Sequence, residues 1–152
     1  MNSYDATCTT AASPASVMAV LTDPAAIRDW SPVPFEIEGC EADSLRAGMS
    51  TRVSGSLAGF SVGFDVHVRD AGEDLLRIGA SGPVDLDVTY RLRPLAGGSE
   101  IAARVDMRRR PGLTSRVISK ATETLLAAGA LDGAAFRIAG AAERSELVPA
   151  MA

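Results

Sequence analysis

The sequence predicts an α+β fold: a curved antiparallel seven-stranded sheet with two short helices after strand 1 and a long C-terminal helix packed across it. Three observations predict it. The stretch "SPASVMAVLTDPAAIRDWSP" (Ser13 to Pro32) holds two brief apolar-periodic runs, each opened by a polar residue and a proline. From Phe35 to Arg108, apolar and polar residues alternate with period two between short turns. After Ser115, alanine dominates and the alternation gives way to a helical pattern.

Each element has a local cause. "SYDATCTT" reads as a first strand, Ser3 to Thr10. Ser13 caps the next helix and Pro14 takes its first turn, where a missing N–H costs nothing. Val17, Val20 and Leu21 give that helix one apolar side. Asp23-Pro24 repeats the device for a second helix, Pro24 to Asp29, and Trp30 follows as the sole tryptophan. "SPVP" then forces extended or turn backbone. Six alternating runs come next: "FEIEG", "MSTRVSGSL", "FSVGFDVHVRD", "LLRIGAS", "VDLDVTYRLR" and "EIAARVDMR". In the third, Phe60, Val62, Phe64, Val66 and Val68 oppose Ser61, Gly63, Asp65, His67 and Arg69. Turns of a few residues between such strands imply an antiparallel meander with one wetted and one buried face. A proline-free helix from about Thr114 to Arg144 is the only element large enough to cover the buried face. Gly129, Gly133 and Gly140 interrupt it, each at about 1 kcal/mol of propensity relative to Ala. Close packing on the sheet, with space left for a ligand, is the expected compensation.

Length and composition set bounds. The 152 residues fit one domain, 1–152, with 146–152 expected to be a frayed tail. A 47% hydrophobic and 22% charged composition is that of a globular chain able to bury a core without staples. A net charge of −4 gives no general attraction to nucleic acid. With no leader-like segment or long apolar run, the expected location is cytoplasmic, without stable membrane insertion. Cys8 and Cys40 are too few and too far apart for a CxxC pair or zinc knuckle, and read as small buried hydrophobes.

"SPASVMAVLTDPAAIRDWSP" also resembles the opening of the helix-grip (SRPBCC) superfamily, which includes START domains, birch-pollen-allergen-like proteins and the polyketide cyclase/dehydrase family. "VTYRLRPLAGGSEIAARVDM" is similar to the penultimate hairpin of that group. The resemblance runs from Tyr4 to about Glu143. It implies a cavity between sheet and C-terminal helix that holds a lipid-, sterol- or polyketide-like molecule, and in some relatives a cyclisation or aromatisation there. It also implies that the short helices form one end of the grip, with Trp30 as its plug or gate.

Candidate chemistry is sparse. "GFSVG" (Gly59 to Gly63) matches G-x-S-x-G, with Asp65 and His67 following. A nucleophile elbow needs a sharp strand-to-helix turn, whereas Ser61 lies within an alternating strand. Six residues at roughly 3.3 Å each put Ser61 and His67 about 20 Å apart, which excludes a triad. His67, the only histidine, shares the polar face with Asp65 and Arg69 and reads as exposed. Tyr90 shares a face with Val88 and Leu92, so its hydroxyl enters the cavity region, as a ligand-orienting or proton-donating group or as a packed core tyrosine. Thr51 and then Cys8 are weaker candidates of the same kind. Arg108, Arg109 and Arg110 read as a solvated junction; the alternative is an anchor for an anionic group, an acidic partner or a membrane surface.

The face assigned inward carries no Asp, Glu, His, Lys or Arg on any strand, which argues against general acid–base work. No metal-ligand spacing, phosphate loop or nucleotide fingerprint is present, so no metal or cofactor is expected. The expected function is binding of a hydrophobic small molecule by Trp30, Thr51, Phe60, Val62, Phe64, Val66, Ile78, Val88, Tyr90, Met107, Leu125 and Gly129, in a monomer or homodimer. The alternatives are a polyketide cyclase, aromatase or dehydratase using Tyr90, and an interaction module using Arg108 to Arg110.

Overall fold

The computed structural model describes residues 2–31, 35–38, 44–57 and 59–147. Its elements are β1 (Asn2–Thr10), α1 (Pro14–Thr22), α2 (Pro24–Trp30), β2 (Phe35–Glu38), β3 (Ser50–Leu57), β4 (Phe60–Ala71), β5 (Leu75–Ser81), β6 (Val84–Leu95), β7 (Gly98–Arg109), α3 (Leu113–Ala127) and α4 (Ala130–Leu147). The strands form one antiparallel sheet in the order β1-β7-β6-β5-β4-β3-β2. This is the helix-grip fold.

The two clipped helices form as their capping residues dictate. The Ser13 hydroxyl accepts from the Ser16 N–H at 3.2 Å, and Pro14 occupies the first turn of α1. Asp23 ends α1 and caps α2, its carboxylate accepting from the Ala25 N–H at 3.0 Å. Trp30 is the last residue of α2 rather than its successor. Val17 and Leu21 are fully buried. Where β1 passes into α1, the buried Ser99 hydroxyl donates to the Ala12 carbonyl at 2.6 Å. Gly98 lies so close to this crossing that a Cβ there would overlap the Thr10 carbonyl oxygen. Pro32, Pro34 and Cys40 fall outside the described residues; Cys8 is a free thiol, its pKa raised by burial and then by Glu143. A raised thiol pKa leaves little thiolate, so Cys8 lacks nucleophile character.

The sheet follows the alternation with one irregularity. A bulge between Val68 and Asp70 shifts the β4–β5 register, so Ala71 replaces an even-numbered residue on the inner face, opposite Leu76. Such a bulge bends its strand, which suits a sheet curling over a hollow.

The C-terminal segment departs from the single helix expected between Thr114 and Arg144. It is two helices bent by 58°. Gly129 sits at φ 95°, in the left-handed region that ends helices and favours glycine. Gly133 and Gly140 do not pack closely on the sheet or leave room in the cavity, because an added Cβ would meet only the Arg137 or Arg144 guanidinium. α4 packs on β1, α1 and α2, whereas α3 leans across β6 and β7. The expected stripe shifts accordingly: Leu131, Ala135 and Ile138 are buried, but Val117 and Ala128 are exposed. At its C-terminal end α4 runs to Leu147, and Glu146 accepts from the Ser13 N–H at 2.7 Å. That bond, with contributions from the Ser16 and Ser13 hydroxyls, lowers the Glu146 pKa. Residues 148–152 are outside the description. Among the described residues, no single helix is long and apolar enough to cross a membrane.

α3 is thinly anchored, with only Ile118 and Ser119 fully buried. The Ser119 hydroxyl is buried without a hydrogen-bond partner among the described residues. An unsatisfied buried hydroxyl costs about 1–3 kcal/mol, and Ala is the better helix former. Ser119→Ala is therefore expected to stabilise the protein by about 1 kcal/mol, read from the urea midpoint at unchanged m-value.

An uncharged cavity between sheet and helices

The inner face of β3 to β6 is not filled by α4, which lies toward the β1–β7 edge. A partly open cavity of about 340 Å³ remains between the sheet, α2, α3 and the start of α4. Its walls are apolar apart from Ser31, Thr51, Ser56, Thr122 and Tyr90. No Asp, Glu, His, Lys or Arg lines it among the described residues.

Of the residues expected here, Trp30, Thr51, Val62, Phe64, Val66, Ile78, Val88, Tyr90 and Leu125 line the cavity. Three expectations are corrected. Phe60 opens β4 at the rim of the sheet and is 43% exposed. Met107 is buried in a separate small core with Val62, Val84 and Ile118, where α3 crosses β7. Gly129 is spent on the helix break and is absent from the wall. Sequence reasoning missed Leu45, Thr122, Leu126 and Ala134. Leu45 belongs to a loop docked by its N–H on the Thr22 carbonyl at 2.7 Å, a contact with no periodic signal. Ala134 becomes legible only once the break at Gly129 resets the phase.

Trp30 and Tyr90 form the most structured part of the wall. Their rings meet edge to face, with centroids 5.9 Å apart and planes at 74°. Arg137 of α4 donates from Nε to the Trp30 carbonyl at 3.1 Å, tying the end of α2 to α4. Trp30 is thus a buried wall residue, and its indole N–H is without a partner among the described residues. The Tyr90 side chain is buried, and desolvation pushes its phenol pKa far above the ordinary value, with Arg137 opposing only in part. A phenol held neutral can donate a hydrogen bond but cannot serve as a base near neutral pH.

The polar face carries the charges. His67 pairs through Nδ1 with the Ser50 hydroxyl at 2.6 Å, not with Ser61. Arg52–Asp65 at 3.1 Å and Arg77–Asp70 at 3.4 Å bridge neighbouring strands on exposed positions, and Arg69 reaches over Gly79 of β5 to Asp87 of β6 at 3.2 Å. Such exposed pairs contribute roughly 0–1 kcal/mol each. Asp65, His67 and Arg69 therefore do not converge on the cavity, and no triad exists in "GFSVG".

The comparisons agree on architecture. No protein-family model and no curated protein matches this sequence. Among solved structures, the chain is similar to the Zhui aromatase/cyclase from Streptomyces sp. R1128, at 18% identity and TM-score 0.69, over 95% of this chain and 94% of that one. It is also similar to Ara h 8.0201, at 15% identity and TM-score 0.62, over 94% and 98% of the two chains. DynU16, a protein of the dynemicin biosynthetic locus, matches at 22% identity and TM-score 0.63, over 94% of this chain and 48% of that one. What these structures share with this chain is the helix-grip fold.

The raised Tyr90 pKa has a consequence at alkaline pH. An unfolded tyrosine releases its proton near pH 10, while the folded one holds it. The stabilisation is complete below about pH 10 and is lost as pH rises beyond it. Urea midpoints are expected to fall above pH 10 in the wild type and to fall less steeply in Tyr90→Phe.

Proposed function

We propose that this protein binds an uncharged, predominantly apolar small molecule, polyketide- or lipid-like, in the cavity between sheet and helices. The observation that carries this reading is the wall: a preserved hollow without a single charged residue among those described. An ionised ligand group would lose its hydration there without a counter-charge, at several kcal/mol. Size supports a modest occupant. An apolar cavity of about 150 Å³ takes one benzene, so 340 Å³ suits about two rings, with any longer tail leaving by the open side. The Tyr90 hydroxyl offers a donor to a carbonyl or hydroxyl on the molecule, and Thr51 of β3 also lines the wall.

The test uses two probes of nearly one shape. Neutral N-phenyl-1-naphthylamine is expected to bind with micromolar Kd and to quench the sole tryptophan, Trp30, by energy transfer. Its 8-sulfonate is expected to bind the cavity at least about 100-fold more weakly, because the sulfonate would be buried unpaired. Ala80→Phe, which fills the cavity from β5, should abolish neutral-probe binding. Equal binding of both probes, or no quenching by either, would overturn the reading.

A second reading is a cyclase or aromatase acting in the same cavity. It is favoured by the Tyr90 phenol, which could protonate or orient a reactive chain held by proximity alone, and by the likeness in fold to an aromatase/cyclase. It requires that Tyr90→Phe slow turnover of a polyketone substrate at least tenfold while leaving neutral-probe affinity within about threefold.

A further inference from the structure

Charge is unevenly distributed along this chain. Residues 108–120 contain Arg108, Arg109, Arg110, Arg116 and Lys120 and no acidic residue, so +5 here leaves −9 on the remainder of a chain whose net charge is −4. Two of the five are neutralised at home: Arg109 pairs with Glu123, and Arg110 with Asp85 at 2.9 Å. The arginine run is therefore largely consumed at the junction between β7 and α3. Arg108, Arg116 and Lys120 have no salt-bridge partner among the described residues.

The outward face of α3 adds apolar surface to this positive charge. Leu113, Arg116, Val117 and Lys120 follow one another at the i, i+3, i+4, i+7 spacing that places residues on a single helix face. All four are exposed, Leu113 at 79% and Val117 at 43%. The same helix turns Ile118 into the core and Leu125 and Leu126 toward the cavity. Large aliphatic side chains held in water between cations are the pattern of a helix that lies in a lipid headgroup layer. The outward face carries no aromatic residue, and the aromatic anchors that dominate protein–protein hot spots are missing from it.

We propose that α3 docks this protein on an anionic lipid surface, with Leu113 and Val117 entering the headgroup region and Arg108, Arg116 and Lys120 against lipid phosphates. The negative remainder of the chain is repelled by the same surface, which sets a single orientation. That orientation puts the cavity one helix diameter, about 10 Å, from the bilayer. The docking rests on surface charge and exposure and does not depend on what fills the cavity.

The experiment is flotation of the full chain with vesicles of phosphatidylcholine containing about 30% phosphatidylserine, at about 50 mM salt, against pure phosphatidylcholine. Binding is expected only to the anionic vesicles and should fall steeply as salt rises. Each cation near an anionic surface strengthens partitioning about fivefold, so Arg116→Ala with Lys120→Ala should weaken it about 25-fold. Leu113→Ser should weaken vesicle binding severalfold while leaving retention on immobilised poly-glutamate unchanged. Circular dichroism of each variant is expected to match the wild type, since the substituted residues are exposed. Absence of binding to the anionic vesicles, or binding insensitive to these substitutions, would overturn the proposal. Retention on poly-glutamate without flotation would assign the face to an acidic protein instead.

Discussion

A sheet with one apolar face must have that face covered, and the cover here is too narrow for the sheet. α4 covers the β1–β7 edge, and α1 and α2 pack against α4. The inner faces of β3 to β6 are left looking across a gap at α3 and at the first turn of α4. The cavity, its polarity and the exposed face of α3 all follow from that mismatch. Had one straight helix run from Leu113 to Leu147, no residue of its first half could have turned over the end of the sheet.

Gly129 is the residue that makes the mismatch tolerable. Its φ of 95° ends α3, and the 58° bend lets α4 stay in the grip while α3 swings toward β6 and β7. The separate small core of Val62, Val84, Met107 and Ile118 anchors α3 at that end. The anchorage is slight, because the opposite face of α3 lies in water. A weakly held helix over an apolar cavity is the low-stability element through which such a cavity is expected to exchange its contents.

Chemistry is segregated by the same geometry. Cross-strand ion pairs and the His67–Ser50 contact occupy the outer face, where water screens them. Inside, the described wall carries a neutral phenol, the Trp30 indole N–H and a few hydroxyls, and no charged side chain. Under the proposed ligand-binding function, such a wall would discriminate by size and by the absence of charge, and any reaction in it would depend on confinement before acid–base catalysis. The Trp30–Tyr90 contact, fixed through Arg137 to α4, makes that wall rigid at one point.

Much of this was legible in the residue pattern. Proline and capping side chains at Ser13-Pro14 and Asp23-Pro24 define the short helices locally, and period-two alternation assigns Val62, Phe64, Val66 and Tyr90 to the inner face before any contact is known. Both signals act within a few residues of themselves, so they survive without tertiary context. The break at Gly129, the loss of Met107 to a second core and the docking of Leu45 were not legible. Glycine in an alanine-rich stretch is compatible with either a continuing helix or a left-handed cap, and only the fit of two helix segments to a curved sheet selects between them. Tertiary packing alone thus decided where the cover ends and how large a space it leaves.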